Sequence, residues 1–157
     1  MNARRWRWVT VVALTIARIW LAGHTELLPE EAYYWTYSKH PALGYFDHPP
    51  MVAWTIKAGT WLLGDTERGV RVVNTLLWVG SCITLLRTTR LWFGARVAVW
   101  AAWLFVLLPI FVGVGFLVTP DGVLVGWWML TLYAKNVADS IPGRTLKKIK
   151  EEIDGTK

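Results

Sequence analysis

The feature that most constrains the fold of this chain is an uncharged apolar run at residues 97–118, VAVWAAWLFVLLPIFVGVGFLV. A helix needs roughly 20 apolar residues to cross the hydrocarbon core of a bilayer, so this run predicts a membrane span. Pro109 predicts a kink, which neighbouring helices tolerate. The composition agrees, because 54% of the 157 residues are hydrophobic and 12 are tryptophans, too many for an ordinary soluble domain.

Further apolar segments predict three more spans, at residues 6–23, 69–86 and 122–138. Arg18 and Lys135 lie near the ends of two of them, where their long side chains are expected to snorkel to the interface. Residues 51–63 are too few to cross and are interrupted by Lys57, which predicts an interfacial or re-entrant helix. The predicted fold class is therefore all-α: about four transmembrane helices with an interfacial helical outer loop.

Charge predicts the orientation of these spans, because basic residues favour cytoplasmic loops. The basic residues lie before the first span, between the second and third, and after the fourth: Arg4, Arg5 and Arg7; Arg87, Arg90 and Arg96; Lys135, Arg144, Lys147, Lys148 and Lys150. We therefore expect a multi-pass protein of the cell membrane with both termini in the cytoplasm. The acid-rich loop at residues 23–68 and the turn at residues 119–121 then face outwards.

Two alternatives concern the ends of the chain. The basic residues before the apolar residues 9–17 also fit a cleaved signal peptide. At the other end, Pro142-Gly143 predicts a break. We therefore divide the chain into a membrane part, residues 1–138, and a polar cytoplasmic tail, residues 139–157.

Some classes of function are excluded by the same composition. The formal charge of +6 comes from basic residues beside apolar runs and not from a stripe on a soluble face, so no nucleic-acid partner is predicted. The lipid bilayer is the predicted partner. The lone Cys82 forms neither an internal disulfide nor a metal cluster.

Acidic residues at two predicted helix starts are candidates for chemistry. Glu30 and Glu31 follow Pro29, and Asp121 follows Pro120. Proline favours the first helical position and carboxylates complement the helix dipole there, which explains these residues without catalysis. The functional alternative is a carboxylate base.

Aromatic and basic residues of the outer loop are candidates for binding. Tyr33 and Tyr34 fit either an interfacial aromatic belt or a sugar-stacking surface. His48 beside Asp47 fits a turn, a phosphate contact or part of a metal site. No metal site is predicted from two ligands, and a divalent metal is left open as a cofactor.

Three cations lie on the acidic side of the predicted membrane: Lys57, Arg68 and Arg71. The two arginines oppose the positive-inside trend, which favours an anionic partner. Pairing with Asp65 or Glu67 is the competing explanation.

Four motifs in this order carry a family resemblance: EEAYYW at residues 30–35, GYFDHPP at 44–50, GDTE with Val70-Arg71 at 64–71, and TPD at 119–121. Over residues 21–133 the chain resembles the N-terminal part of the C-type, polyprenyl-phosphate-dependent glycosyltransferases, which include protein O-mannosyltransferases and lipid A aminoarabinose transferases.

The resemblance implies a membrane enzyme that transfers a sugar from a polyprenyl-phosphate donor to an acceptor hydroxyl on the extracytoplasmic face. Glu30 and Glu31 occupy the positions of the family's Asp-Glu pair, which supplies the general base, with Glu30 where Asp is usual. Asp121 matches a second acidic site. His48 falls where some members carry a phosphate-contacting lysine, and Asp47 where they carry an acid near a bound metal.

Such enzymes have roughly ten or more spans, so the resemblance also predicts a truncated or split form whose missing spans come from a second chain. The alternative class is a non-catalytic membrane remnant or an assembly or scaffold subunit. Acids at helix starts and an aromatic belt satisfy that interpretation as well.

Overall fold

The structure, a computed structural model, describes residues 3–154 and shows them as a helical bundle without strands, so the all-α prediction is confirmed. The helices are α1 Ala3–Ala22, α2 Pro29–Lys39, α3 Met51–Leu63, α4 Glu67–Leu107, α5 Pro109–Phe116 and α6 Pro120–Asp154. Local signals in the sequence account for the bounds of three helices: α2 and α6 begin at prolines, and α3 begins and ends at the predicted residues.

Helix α4 is a hairpin rather than one straight rod. Gly94 has φ 83° and ψ 174°, which are not helical values. The Trp78 and Phe105 rings stack with centroids 5.7 Å apart, whereas a straight helix would hold them about 40 Å apart at 1.5 Å per residue. The chain therefore reverses at Gly94, between residues 67–93 and residues 95–107.

Helix α1 packs antiparallel to the first half of α4. The guanidinium of Arg18 lies 3.9 Å from the centroid of the Trp78 ring and donates to the Val112 carbonyl over 3.3 Å. Arg18 is buried, so the prediction that it snorkels to the interface is wrong. Inside the bundle, the Trp78 ring and the Val112 carbonyl oxygen interact with the Arg18 guanidinium in place of water.

The rest of the chain runs back along α4 and then forward again. Residues 95–118 return, with Trp78 Nε1 donating to the Phe111 carbonyl over 3.1 Å. Helix α6 then runs forward to the opposite end, where Arg87 lies over the Tyr133 ring at 5.7 Å. The kink predicted at Pro109 is confirmed, because Leu108, directly before it, has extended backbone angles and ends the preceding helix. The break predicted at Pro142 is wrong, because α6 continues through it.

The number of spans stays a prediction. By length and composition, one described helix, Glu67–Leu107, is apolar enough to cross a membrane, and Val12–Ala22 is a shorter apolar segment. The four predicted segments do lie side by side, but which of them cross the bilayer is not confirmed.

One end of the bundle carries α2 and α3, and we call it the α2–α3 end. Its core contains Tyr34, Val52, Ile56, Val70, Val118 and Val123. Helices α3 and α4 approach so closely that a Cβ on Gly59 would lie 2.2 Å from the Gly69 carbonyl oxygen. The opposite face of α3, with Trp54, Lys57 and Trp61, is exposed. That exposed aromatic face is what an interfacial helix requires.

Candidate functional site

A buried ion pair between Glu31 and Arg71 organises the α2–α3 end. Each side chain is 1% exposed. Arg71 donates from Nε to Glu31 Oε1 over 2.9 Å and from Nη2 to Glu31 Oε2 over 2.5 Å. This bidentate geometry is the strong form of a carboxylate–guanidinium contact.

The Glu31 carboxylate also accepts two backbone hydrogen bonds. The Leu28 N–H donates to Oε2 over 3.1 Å, which caps the start of α2. The Val118 N–H donates to Oε1 over 3.1 Å, which joins α2 to the segment before α6. Each oxygen therefore has two donors, and the carboxylate has no unused acceptor with which to take a substrate proton.

Arg71 is equally occupied. Its Nη1 donates to the carbonyl oxygens of Ala22 and Thr25 and to the Thr25 hydroxyl. Its Nη2 donates to the Glu26 carbonyl. The competing explanation, that Arg71 pairs with Asp65 or Glu67, is wrong, because the carboxylate that reaches this guanidinium belongs to Glu31, on another helix.

Glu30 and Asp121, by contrast, are exposed at helix starts. Glu30 is the second residue of α2, and Asp121 is the second residue of α6. The Thr119 hydroxyl accepts from the Gly122 N–H over 3.3 Å, so Thr119 caps the start of α6. The Glu31 bridge to Val118 holds these two helix starts together.

Tyr34 lies between these acids and the loop at residues 40–50. Burial is the main cause that raises the pKa of the Tyr34 phenol above its usual value, and the negative charges of Glu30, Asp47 and Asp121 raise it further. The same phenol is therefore within electrostatic reach of acids from α2, the loop and α6. It stays protonated and uncharged at neutral pH.

His48 joins this loop to α2. The Tyr34 hydroxyl and His48 Nε2 are 3.1 Å apart, and the two rings meet edge to face at 5.1 Å. On the other side of the imidazole, Nδ1 lies 3.1 Å from Asp47 Oδ2. Nε2 therefore has a hydrogen-bond partner, whereas Nδ1 lies buried beside the Asp47 carboxylate without a hydrogen bond of good geometry.

Asp47 is held by two tyrosines of α2. The Tyr37 hydroxyl donates to Oδ1 over 2.6 Å, and the Tyr33 hydroxyl donates to Oδ2 over 2.9 Å. The hydrogen bond from Tyr37 is the main cause that lowers the pKa of Asp47 to about 2, with Tyr33 and His48 adding to it. The same bond raises the pKa of Tyr37 well above its usual range.

A second acid, Asp65, binds two residues of α2. It pairs with Lys39 and accepts from Trp35 Nε1 over 3.2 Å. The hydrogen bond with Lys39 is the main cause that lowers the pKa of Asp65. Asp65 is therefore a tether between the end of α2 and the turn before α4.

Arg68 is a cation that this network leaves free. It is exposed, and no hydrogen bond or ion pair engages its guanidinium within the described part of the chain. Its side chain packs on Gly23, where an added Cβ would lie 1.8 Å from Arg68 Nε. Together with Gly23, Leu63, Thr66 and Glu67 it lines a surface groove of about 340 Å³.

A metal site is not assembled by residues 3–154. Within them no group of three or more His, Cys, Asp or Glu side chains is placed to hold an ion. Asp47 and His48 supply two adjacent ligands, and both are engaged with tyrosines of α2. The described residues alone do not make a complete ligand set.

The structure thus separates the predicted site residues into groups. Glu31 and Arg71 are buried together; Glu30 and Asp121 are exposed near Tyr34; Asp47, His48 and Tyr33 form a network; Lys57 and Arg68 are exposed on α3 and α4. The sequence analysis missed Tyr37 as a partner of Asp47. Its spacing of four residues from Tyr33 was the available signal, because such residues share a helix face.

Comparison with known proteins identifies the class of molecule to which this arrangement belongs. Residues 47–138 match the family described as dolichyl-phosphate-mannose-protein mannosyltransferase. The match covers more than half of the chain, so the chain belongs to this glycosyltransferase family.

A curated relative supports the assignment. The chain is 29% identical over 102 residues to the lipid A galacturonosyltransferase RgtD of Rhizobium johnstonii. The aligned region is 63% of this chain and 22% of that protein, so the chain spans about a fifth of the relative. No solved structure matches the chain. The family and the relative agree with the membrane location predicted from the apolar segments.

Proposed function

We propose that this chain forms the N-terminal part of a membrane glycosyltransferase that moves a sugar from a polyprenyl-phosphate donor to an acceptor hydroxyl on the extracytoplasmic face. The observation that carries the proposal is the contrast between two adjacent acids. Glu31 is buried and saturated by donors, whereas Glu30 is exposed at the start of α2. Family membership supports the donor class.

The chemistry requires a base and a cation. In the proposed reaction Glu30 takes the proton of the acceptor hydroxyl, the acceptor oxygen bonds to the anomeric carbon, and the bond from that carbon to the phosphate oxygen breaks. The lipid phosphate leaves with the bonding electrons. General-base help of this kind contributes about 10²–10⁴ in rate.

Glu31 and Arg71 act in this proposal as positioning residues. Through hydrogen bonds, the pair joins α4, which carries Arg71, to the end of α1 and the residues after it, to the start of α2 and to Val118. It thereby sets the separation of Glu30 and Asp121. Catalytic geometry is sensitive to shifts of about 1 Å, so Asp121 supports the base only while this pair is intact.

Arg68 is the proposed cation for the donor phosphate. Its guanidinium is the exposed, unengaged one beside the groove at the α2–α3 end. A charge-assisted contact from arginine to phosphate is short and directional. Lys57, exposed on α3, adds positive charge on the same side.

Sugar transfer is best tested in a chimera, because the relative is longer than this chain. Residues 21–133 of this chain would replace the matching segment of the Rhizobium protein, and galacturonate transfer to lipid A would be measured in membranes. We expect Glu30→Gln to lower turnover by about 10²–10⁴, and Asp121→Asn to lower it less. Glu26→Gln, an exposed acid four residues earlier, is the matched control.

The alternative is a non-catalytic membrane subunit, in which the acids only start helices. Near-normal turnover of the folded Glu30→Gln and Asp121→Asn chimeras would support that alternative. Loss of activity in the Glu26→Gln control would show that charge in general, not the position of Glu30, is what the reaction needs.

A further inference from the structure

The end of the bundle opposite α2 and α3 carries large apolar side chains outside the core. We call it the Gly94 end, and it comprises residues 87–96 of α4 and residues 133–136 of α6. The three residues directly before the reversal of α4 are exposed by 60%, 57% and 65%: Leu91, Trp92 and Phe93. Such a run at the tip of a bundle requires a covering partner or a surrounding that is not water.

Contacts with α6 hold this turn in place. Trp92 Nε1 donates to Asn136 Oδ1 over 3.0 Å, and Asn136 Nδ2 donates to the Leu132 carbonyl over 2.7 Å. One turn and a half earlier on α4, the Arg87 guanidinium lies over the Tyr133 ring at 5.7 Å. The first half of α4 is therefore fixed against α6 up to the turn, and its apolar end stays outside the packed bundle.

Two arginines flank the apolar residues and have no partner in the chain. Arg90 and Arg96 are both exposed, and no hydrogen bond or ion pair engages either guanidinium within residues 3–154. Arg87 is exposed as well, and its contacts are the ring and the hydroxyl of Tyr133. Three positive charges thus lie at one turn without a counter-charge from it.

Acidic residues of the neighbouring segments do not balance these charges. Residues 68–120 contain no Asp or Glu, so α4 after its first residue and all of α5 lack carboxylates. On α6 the first acid after Asp121 is Asp139. It lies four residues after Lys135 on the same helix, where the two charges offset each other. The Gly94 end is therefore a net positive surface.

Basic and apolar side chains alternate on this surface. Arg87 and Leu91 are four residues apart, and Arg90 and Phe93 are three apart, so the members of each pair are neighbours on the helix. An arginine beside an apolar side chain suits the headgroup region of a bilayer, because its stem lies along apolar surface while its charge reaches the phosphates. Tryptophan is enriched at the same depth.

The apolar surface continues from the turn along the second half of α4. Val97, Trp100 and Leu104 are exposed, and their spacing of three and four residues places them on one helix face. A surface that is basic at its tip and apolar along its side matches both the headgroup and the acyl chains of a lipid. An acidic soluble protein would match the tip alone.

We propose that the Gly94 end is a binding site for anionic phospholipids of the bilayer. Arg90 and Arg96 bind the headgroup phosphate, and the three apolar residues before the turn contact the acyl chains. Contacts between guanidinium and phosphate are charge-assisted, and each basic residue near an anionic membrane surface adds attraction. The site lies at the end opposite the proposed base, so it does not rest on sugar transfer.

The test measures which lipid lies next to the turn. A bimane fluorophore is attached to Ala95→Cys, an exposed position beside Gly94, in a Cys82→Ser background. The chain is placed in nanodiscs of phosphatidylcholine and phosphatidylglycerol, and one of the two lipids carries bromine, which quenches the fluorophore. We expect brominated phosphatidylglycerol to quench about twofold or more strongly than brominated phosphatidylcholine at equal mole fraction.

A second label controls for general contact with lipid. Ile16 is exposed on α1, away from the Gly94 end, so the two lipids should quench a label at Ile16→Cys equally. Normal quenching at this position in every variant also shows that the variant is folded and inserted. A loss at Ala95→Cys is then a local effect.

Paired charge variants identify the residues that bind. Arg90→Gln with Arg96→Gln should abolish the excess of phosphatidylglycerol at Ala95→Cys. Lys57→Gln with Arg68→Gln removes the same charge from two exposed cations of the α2–α3 end and should leave that excess unchanged. Raised salt should lower the excess in the unaltered chain, because exposed charges are screened.

Three results would overturn the proposal. The first is equal quenching by the two lipids at Ala95→Cys in the otherwise unaltered chain. The second is an excess of phosphatidylglycerol that survives in the Arg90 and Arg96 double variant. The third is a label at Ala95→Cys that neither lipid quenches while both quench Ile16→Cys, which would place the turn in water and favour an acidic soluble partner. None of these results bears on sugar transfer, so failure here is distinct from failure of the proposed function.

Discussion

At the scale of single residues, two neighbouring glutamates have opposite environments. Successive residues of an α-helix point about 100° apart, so the first turn of α2 can bury Glu31 and expose Glu30. Glu31 then pairs with Arg71, a residue of α4, and both side chains are removed from water. The exposed neighbour keeps a free carboxylate, which is the property that a general base needs.

The burial of the Glu31–Arg71 pair predicts that substitutions of Glu31 and Glu30 differ in their effect on stability. Glu31→Gln leaves the Arg71 guanidinium buried without a counter-charge, and removing one partner of a buried pair costs about 3–5 kcal/mol. Glu30→Gln removes a carboxylate that only faces the helix dipole, which is worth about 0.3–1 kcal/mol. Denaturant unfolding of the chain in micelles measures both. Equal losses in the two variants would show that the buried pair contributes no special stability.

At the scale of elements, the reversal of α4 depends on one glycine. Gly94 combines φ 83° with ψ 174°, a region of backbone conformation that is essentially restricted to glycine. The contact between Trp78 and Phe105 needs this reversal. A basic segment with Arg87, Arg90 and Arg96 therefore turns without a long loop.

We expect Gly94→Ala to destabilise the chain by about 1–3 kcal/mol, because a Cβ is strained in this conformation. Gly80→Ala is the matched control, since Gly80 is helical and an added Cβ meets nothing within 4 Å. That control should stabilise the chain by about 0.5–1 kcal/mol through its helix propensity. Thermal unfolding of the two variants provides the comparison, and an opposite order would show that the reversal is not held at Gly94.

At the scale of the whole molecule, acidic residues gather at one end of the bundle, together with Lys57, Arg68 and Arg71, and the basic turn at Gly94 lies at the other end. The α2–α3 end holds Glu30, Asp47, Asp65 and Asp121, and the other end holds the Arg87–Tyr133 contact and the turn at Gly94. The orientation predicted from the positive-inside trend would place the acidic end outside the cell, and it stays a prediction. It also places every residue proposed for sugar transfer on one side.

The orientation can be tested by labelling single cysteines in a Cys82→Ser background. Thr36 on α2 and Arg90 near the turn are both exposed, so Thr36→Cys and Arg90→Cys are matched reporters of the two ends. A membrane-impermeant thiol reagent should label Thr36→Cys in intact cells and Arg90→Cys only after permeabilisation. Labelling of Arg90→Cys in intact cells would reverse the predicted orientation.

Local signals in the sequence were sufficient to predict several boundaries of the helices. Proline at a helix start, an apolar segment of limited length and a proline inside an apolar run each act over a few residues. They predicted the starts of α2 and α6, the limits of α3 and the kink at Pro109. The sequence also showed which residue types could supply a base and a cation.

Only the tertiary structure decided which of these residues are free to act. Three interactions depend on packing: the ion pair of Glu31 with Arg71, the hydrogen bonds from Tyr33 and Tyr37 to Asp47, and the burial of Arg18 against Trp78. The residues in each interaction are distant in sequence or lie on separate elements, and a contact between elements produces no periodic pattern in the sequence. Desolvation and hydrogen bonding after packing therefore distinguish Glu31 and Arg71, which are buried and fully engaged, from Glu30 and Arg68, which stay exposed.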